Sequence, residues 1–170
     1  MKTIIVLFGI MLVFQGCTYA ISPDVAHKAD KSVRFEKLQA DPDSFKGKIV
    51  ILGGTIAQAS EVNQGTLLEV IQRPLDYWGK PERTKRTGGR FLVFHPGLLN
   101  MMAYAPGVDI TVAGEVLGTS SPMIGSKQYD YPLLLSKERK LWEREKGSGD
   151  KARWMDPLSS GPARSDHPEY

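Results

Sequence analysis

The sequence predicts an all-β domain, β-rich with short helices, in which five strands close into a small Greek-key barrel. Three observations carry this expectation. Turn formers are abundant, with 17 glycines and 11 prolines among 170 residues, which favours short strands and tight turns over long helices. Runs rich in β-branched and aliphatic residues recur at five places between turn residues. The first of these runs is broken by Gly53-Gly54, the kind of interruption a long strand needs to bend sharply enough for closure.

Taken in order, "SVRFEKLQADPDSFKGK" reads as one short helix. Ser32 is placed to cap it, Asp41-Pro42 stops it, and Phe35 and Leu38 fall three apart on one face. The five strands follow: 48–59, then 66–72 after the turn-like "NQG", 90–95, 109–118 and 129–142. The fourth is the cleanest. Ile110, Val112, Gly114 and Val116 alternate with Asp109, Thr111, Ala113 and Glu115, the period of a half-buried strand. In the fifth, Pro132 cannot donate to a ladder, so that stretch should be an edge or the start of pairing. Tyr129 and Tyr131 flank Asp130 and should share one face, packed on the barrel. Between the third and fourth strands, "PGLLNMMAYAPG" (96–107) reads as a short apolar helix bracketed by Pro-Gly pairs. Three strands, a helix and two more strands is the order of an OB-fold. An unrelated five-stranded β-sandwich is the competing architecture.

Composition bounds the function. The hydrophobic content of 41% suits one domain, and a formal charge of +3 is too small an excess to argue for nucleic acid. Cys17 is the single cysteine, which excludes an intramolecular disulfide and a Cys-rich zinc site. His27, His95 and His167 are far apart. His95, beside Pro96, reads as a strand-end residue and not as a base. There is no H-E-x-x-H, no acidic calcium loop, no P-loop and no Gly-x-Ser-x-Gly elbow. No catalytic residue, metal or cofactor is expected.

The N-terminus reads as a targeting segment. "MK" is followed by the uncharged "TIIVLFGIMLVF" and then "QGC". About a dozen apolar residues is too short for a spanning helix, which needs about 20. A buried N-terminal helix is disfavoured because the run has no polar face. "FQGC" resembles a bacterial lipobox, with Gly16 as the small residue before the cut and Phe14 where that pattern usually has Leu. The resemblance makes Phe14 and Gly16 part of the signal peptidase II recognition site. It makes Cys17 the lipidated first residue of the mature chain, carrying diacylglyceryl and fatty acyl groups. Thr18, in place of Asp, implies sorting to the outer membrane. The expected organisation is a lipoprotein signal peptide over 1–16, a flexible tether over 17–32, an OB-like domain over 33–142 and a disordered tail over 143–170.

The stretches "DPDSFKGKIVILGGTIA", "VIQRPLDYWGKP", "GGRFLVF", "VDITVAGEVLG" and "IGSKQYDYPLLL", in this order behind the lipobox, resemble the Slp family of starvation-inducible outer membrane lipoproteins. The resemblance implies a protein anchored by acyl chains in the inner leaflet of the outer membrane, facing the periplasm. It offers no catalytic residues to carry over, and implies a non-enzymatic binding or structural module in envelope or starvation stress. The alternative is a carbohydrate- or lipid-binding OB module that contacts lipopolysaccharide or peptidoglycan.

One loop invites a partner. "YWGKPERTKRTGGR" sets Lys80, Arg83, Lys85, Arg86 and Arg90 against Glu82, beside Tyr77 and Trp78. Aromatics among cations on an OB-fold suit oligonucleotides, but the expected compartment argues against nucleic acid. Lipid phosphates, lipopolysaccharide or an acidic envelope protein are the partners that compartment leaves. The plainer alternative is a solvated loop whose charges keep an edge from aggregating.

Overall fold

The computed structural model describes residues 19–84, 86–121, 123–124 and 127–143. The expected signal peptide, Cys17 and nearly all of the expected tail lie outside these residues.

A 14-residue strand, β1 (Ile49–Val62), organises the chain. It is followed by β2 (Gly65–Arg73), β3 (Arg90–Pro96), β4 (Asp109–Ser120), the two-residue strands β5 (Met123–Ile124) and β6 (Lys127–Gln128), and β7 (Tyr131–Trp142). The main sheet closes on itself in the order β1-β2-β3-β7-β4. All neighbours are antiparallel except β3 and β7, which pair in parallel through Leu92–Leu133, Val93–Leu134 and Phe94–Leu135. This is the strand order of the OB-like Greek-key barrel that the sequence predicts. β5 and β6 form a separate small hairpin, which the sequence did not announce.

Closure depends on how β1 is shared. Its first half, Ile49 to Thr55, pairs with β4, and its second half, from Gly53 to Val62, pairs with β2. Gly53, Gly54 and Thr55 are therefore paired on both sides, and the strand leaves one neighbour for the other across the expected glycine bend. Gly54 belongs to the inward-facing set of Val50, Leu52 and Ile56, all buried. A Cβ there would run into the Ile71 carbonyl oxygen and the Val70 side chain. Gly53 faces outward beneath Leu75 and Pro81.

The core is built from the predicted alternation. Val50, Leu52, Ile56, Leu68, Val70, Phe91, Val93, Ile110, Val112, Val116 and Leu134 fill the barrel. One hydroxyl within this wall, Ser136 Oγ, is buried with no hydrogen-bond partner among the described residues. Pro132 pairs with Thr119 at the start of β7, as its missing N–H requires. Tyr131 is buried and Tyr129 half-exposed, with their rings stacked at 6.2 Å.

The barrel ends are covered in a way the sequence did not predict. The helix α1 (Pro23–Ala26) is a single turn, and α2 (Phe35–Ala40) is followed by a 3-10 turn, Pro42–Phe45. Phe35 and Leu38 enter the core from α2, with the Phe35 ring 5.9 Å from that of Phe91. Asp41-Pro42 ends α2 as expected, and the Asp41 carboxylate accepts from the Ser44 amide. The N-cap, however, is Arg34. Ser32 instead donates to Asp30, 2.6 Å away. Residues 97–108 cross the other end, and no helix forms there. One turn closes where the Ala103 and Tyr104 amides donate to the Asn100 carbonyl, and a second where the Val108 amide donates to the Ala105 carbonyl. Gly97 and Gly107 adopt φ 107° and 86° at the two ends of this crossing, and Pro106 lacks an amide and disfavours helical backbone at Ala105.

Residues 20–30, expected within a flexible tether, lie on the barrel. Ala20 and Ile21 are buried against Ala113, beside Ile51 and Trp142. Ser22 donates its amide and hydroxyl to the Glu138 carboxylate at 2.9 and 2.7 Å. The Asp30 amide reaches the Ile49 carbonyl at 2.8 Å. Burying a side chain such as Ile21 contributes about 1.5–3 kcal/mol, and the Ser22 and Asp30 hydrogen bonds add to it against the cost of ordering the segment. The alternation on β4 is thus correct, but Thr111 and Ala113 on its outer face are also fully buried.

The two glycines should respond differently to an added methyl. Gly54→Ala is expected to destabilise by about 3 kcal/mol or more, because the obstruction is backbone. Gly53→Ala should cost about 1 kcal/mol, because the end of Leu75 can rotate away. Urea-unfolding midpoints of the two variants check the order.

Candidate functional site

The loop joining β2 and β3 is folded back over the barrel. The Glu82 amide donates to the Pro74 carbonyl at 2.8 Å, and Leu75 bridges to Pro81. Both side chains sit over Gly53, where a Cβ would crowd the end of Leu75. Beyond this seal the chain passes the start of β4 and forms an open cleft of about 310 Å³, lined by Thr55, Arg73, Arg83, Thr84, Gly107 and Asp109.

Asp109 is the anionic centre of the cleft. Its side chain is only 7% exposed. One carboxylate oxygen accepts from Thr55 Oγ1 at 2.8 Å, and the other from Arg83 Nε at 3.3 Å. Arg73 points one guanidinium nitrogen at the Thr84 carbonyl. Two guanidinium groups and one carboxylate therefore line the cleft, leaving one net positive charge with hydroxyl groups around it. Such a set can hold an anionic or polyhydroxylated group through charge-assisted hydrogen bonds.

The four described cations of those singled out from the sequence do not share one set of partners. Arg83 turns into the cleft. Arg90 sits across β3 and β2 on Glu69, with Nη1 2.6 Å from Oε1. Glu69 raises the Arg90 pKa, and burial raises that of the neighbouring Tyr131. Arg86 is exposed, Lys80 is half-buried, and Lys85 lies outside the described residues, as do Phe14, Gly16 and Cys17. Asp109 and Arg73, which complete the cleft, were missed. Asp109 stands at the polar position of an alternating strand and Arg73 at a strand end, and neither position signals a cleft by itself.

His95 is engaged structurally. Arg139 lays its guanidinium against the imidazole, 3.4 Å from each ring nitrogen, and donates from Nε to the Tyr104 hydroxyl at 2.7 Å. This ties the 97–108 crossing to β7. Burial first, and the Arg139 charge second, push the His95 pKa below its ordinary value. Among the described residues, no group of three or more His, Cys, Asp or Glu could hold a metal ion. No helix among them is long and apolar enough to cross a membrane.

Residues 14–169 match the outer membrane lipoprotein Slp family. An uncharacterized protein of Haemophilus influenzae is 28% identical over 145 residues, covering 84% of this chain and 78% of that one. Among solved structures, the chain is similar to the mitochondrial single-stranded DNA binding protein Rim1 of S. cerevisiae. The TM-score is 0.38 and the identity 14%, over 60% of this chain and 99% of that one. A small single-stranded DNA-binding protein from Streptomyces coelicolor aligns with a TM-score of 0.35 and 14% identity, over 54% of this chain and 91% of that one.

The cleft pair should be asymmetric to mutation. Asp109→Ala is expected to destabilise by about 2–3 kcal/mol, because it strips partners from a buried polar cluster. Arg83→Ala should cost about 0–1 kcal/mol, since the guanidinium arm is 56% exposed. Thermal unfolding of both variants tests this. A second prediction concerns pH. A depressed His95 pKa means that the unfolded chain takes up a proton more readily than the folded one. The stabilisation is complete above the ordinary histidine value of about 6.5 and is lost as pH falls from there through the lower folded value. Urea-unfolding free energies measured from pH 7.5 downward should decline across that window, and His95→Gln should flatten the decline.

Proposed function

The chain belongs to the Slp family of outer membrane lipoproteins, and from that premise we propose that it is a lipid-anchored, non-enzymatic binding or structural module of the cell envelope. Cys17 carries the acyl groups in the inner leaflet of the outer membrane, residues 1–16 are removed, and the barrel faces the periplasm. One observation carries this reading. The family match begins at Phe14, so it takes in "FQGC" together with the whole barrel, and Cys17 is the chain's single cysteine.

The physical logic is one of location. A single acyl chain holds a protein to a membrane only marginally, whereas several hold it essentially permanently. A protein fixed in this way acts by what its surface meets there, during envelope or starvation stress. The absence of enzymatic activity is supported by the state of the polar groups. The carboxylate of the cleft is occupied by Thr55 and Arg83, and His95 faces Arg139.

The cleft favours a second reading. Arg73, Arg83, Asp109 and two threonines line a volume of about 310 Å³. That suits an anionic saccharide or lipid headgroup, as in lipopolysaccharide or peptidoglycan fragments, and would make the domain a carbohydrate- or lipid-binding OB module.

Intact-mass measurement of the protein extracted from membranes should show loss of residues 1–16 and a gain matching acylation. Cys17→Ser should leave the outer membrane fraction. A full-length unmodified mass, or a Cys17→Ser protein that stays in that fraction, overturns the anchor.

A further inference from the structure

Three large aromatic side chains stand out of the protein at one place. Tyr77 is 89% exposed, Tyr19 64% and Trp78 60%. Together they rim a shallow groove of about 150 Å³, with Ile21 and Ile51 in its lining. The Tyr77 and Trp78 rings meet edge-to-face at 5.1 Å.

This display is held in place. The Asp76 carboxylate accepts from the Trp78 and Lys80 amides, both at 2.8 Å. The Gly79 amide returns to the Asp76 carbonyl at 3.0 Å, and Gly79 adopts φ 79°, where a side chain would be strained. Thr111 Oγ1, buried on β4, donates to the Gly79 carbonyl at 2.6 Å. The turn is thus bolted to the barrel with two aromatic rings directed outward. Isolated exposed hydrophobics are ordinary, but a fixed cluster of large ones marks a contact surface.

Its position in the chain identifies the contact. Tyr19 is two residues after Cys17, and two residues of extended chain span at most about 7 Å. Ala20 and Ile21 are already buried on the barrel. The site of lipid attachment is therefore within about 7 Å of Tyr19, a member of the aromatic rim. Tyr and Trp are the side chains that settle at the boundary of headgroups and acyl chains, with the ring body in apolar surroundings and the polar atom hydrated.

We propose that the face formed by Tyr19, Tyr77 and Trp78 rests in the interfacial layer of the membrane that holds the Cys17 acyl chains. This fixes the orientation of the barrel on the lipid surface. The inference rests on the acylation of Cys17 proposed above.

The test uses the mature acylated protein in phosphatidylcholine vesicles containing lipid brominated near the headgroup. The Trp78 contribution is the fluorescence difference between the wild type and Trp78→Phe. It should fall about twofold or more in brominated vesicles and resist aqueous iodide, as expected for an indole at headgroup depth. Oxidative footprinting read by mass spectrometry should show Tyr77 and Trp78 protected in these vesicles. An acylated protein whose Trp78 is unquenched by bromolipid and open to iodide overturns the docking while leaving the anchor standing. A mass without acyl groups overturns the anchor itself. Protection in isolated outer membranes but not in lipid vesicles assigns the face to a protein partner and also overturns the proposal.

Discussion

The structure depends on a three-residue stretch, Gly53 to Thr55, that is hydrogen-bonded on both edges. A strand paired on both sides sits between two neighbours of one twisted sheet. Here it makes one strand the hinge between two sheet halves, because β1 gives its first half to β4 and its second half to β2. The curvature this demands brings β2 so close that position 54 has no room for a methyl group. Everything downstream follows from that bend: the inward set that fills the core, the short parallel closure of β3 on β7, and the outward gap at Gly53 into which a loop can settle.

That gap organises a second layer. Leu75 and Pro81 close over Gly53, Gly79 is hydrogen-bonded to Thr111, and Ala20 and Ile21 cover Ala113. The outer faces of β1 and β4 consequently behave as a second, smaller core, with its own cluster around Ala20, Ile21 and Ala113. Small residues make this possible. A large side chain at 53, 111 or 113 would lift the covering segments away. The polar cleft lies at the margin of this layer, where the loop leaves its seat and Arg83 reaches Asp109.

This layering explains which features were legible in the sequence. The five main strands, the glycine bend, the inward alternation of β4 and the role of Pro132 follow from local periodicity and turn chemistry, and these are the features the structure retains. What covers a strand does not follow from its period. Thr111 and Ala113 read as solvent-facing because they are small or polar, yet their burial depends on segments about 30 to 90 residues away. The same blindness turned residues 20–30 into a tether. Their few apolar side chains, Ile21 and Ala20, show no periodicity, but they match a surface that only tertiary structure creates. In 97–108, helix propensity lost to its breakers, since Gly97, Pro106 and Gly107 turn the backbone out of the helical region. The plug for the core came instead from Phe35 and Leu38. The cation-rich loop looked like a single patch because sequence spacing carries no direction. In three dimensions Arg83 and Arg90 are drawn to different carboxylates.

Seating the N-terminal segment on the barrel changes what a lipid anchor at Cys17 can do. A flexible tether of 16 residues would span tens of ångströms and let the barrel tumble freely above the lipid. With Ile21 buried and Ser22 held by Glu138, the free span shrinks to the few residues around Tyr19. A short span raises the effective concentration of the nearest face at the membrane, so even weak interfacial contacts add to the anchor. It also selects which surface points away from the lipid. The loop that closes over Gly53 carries both the Tyr77-Trp78 tip and Arg83, so one seated loop sets the positions of the aromatic rim and the polar cleft. Loosening its seat at Gly53 would therefore disturb both surfaces together, which makes the bend in β1 as consequential for presentation at the membrane as for closure of the barrel.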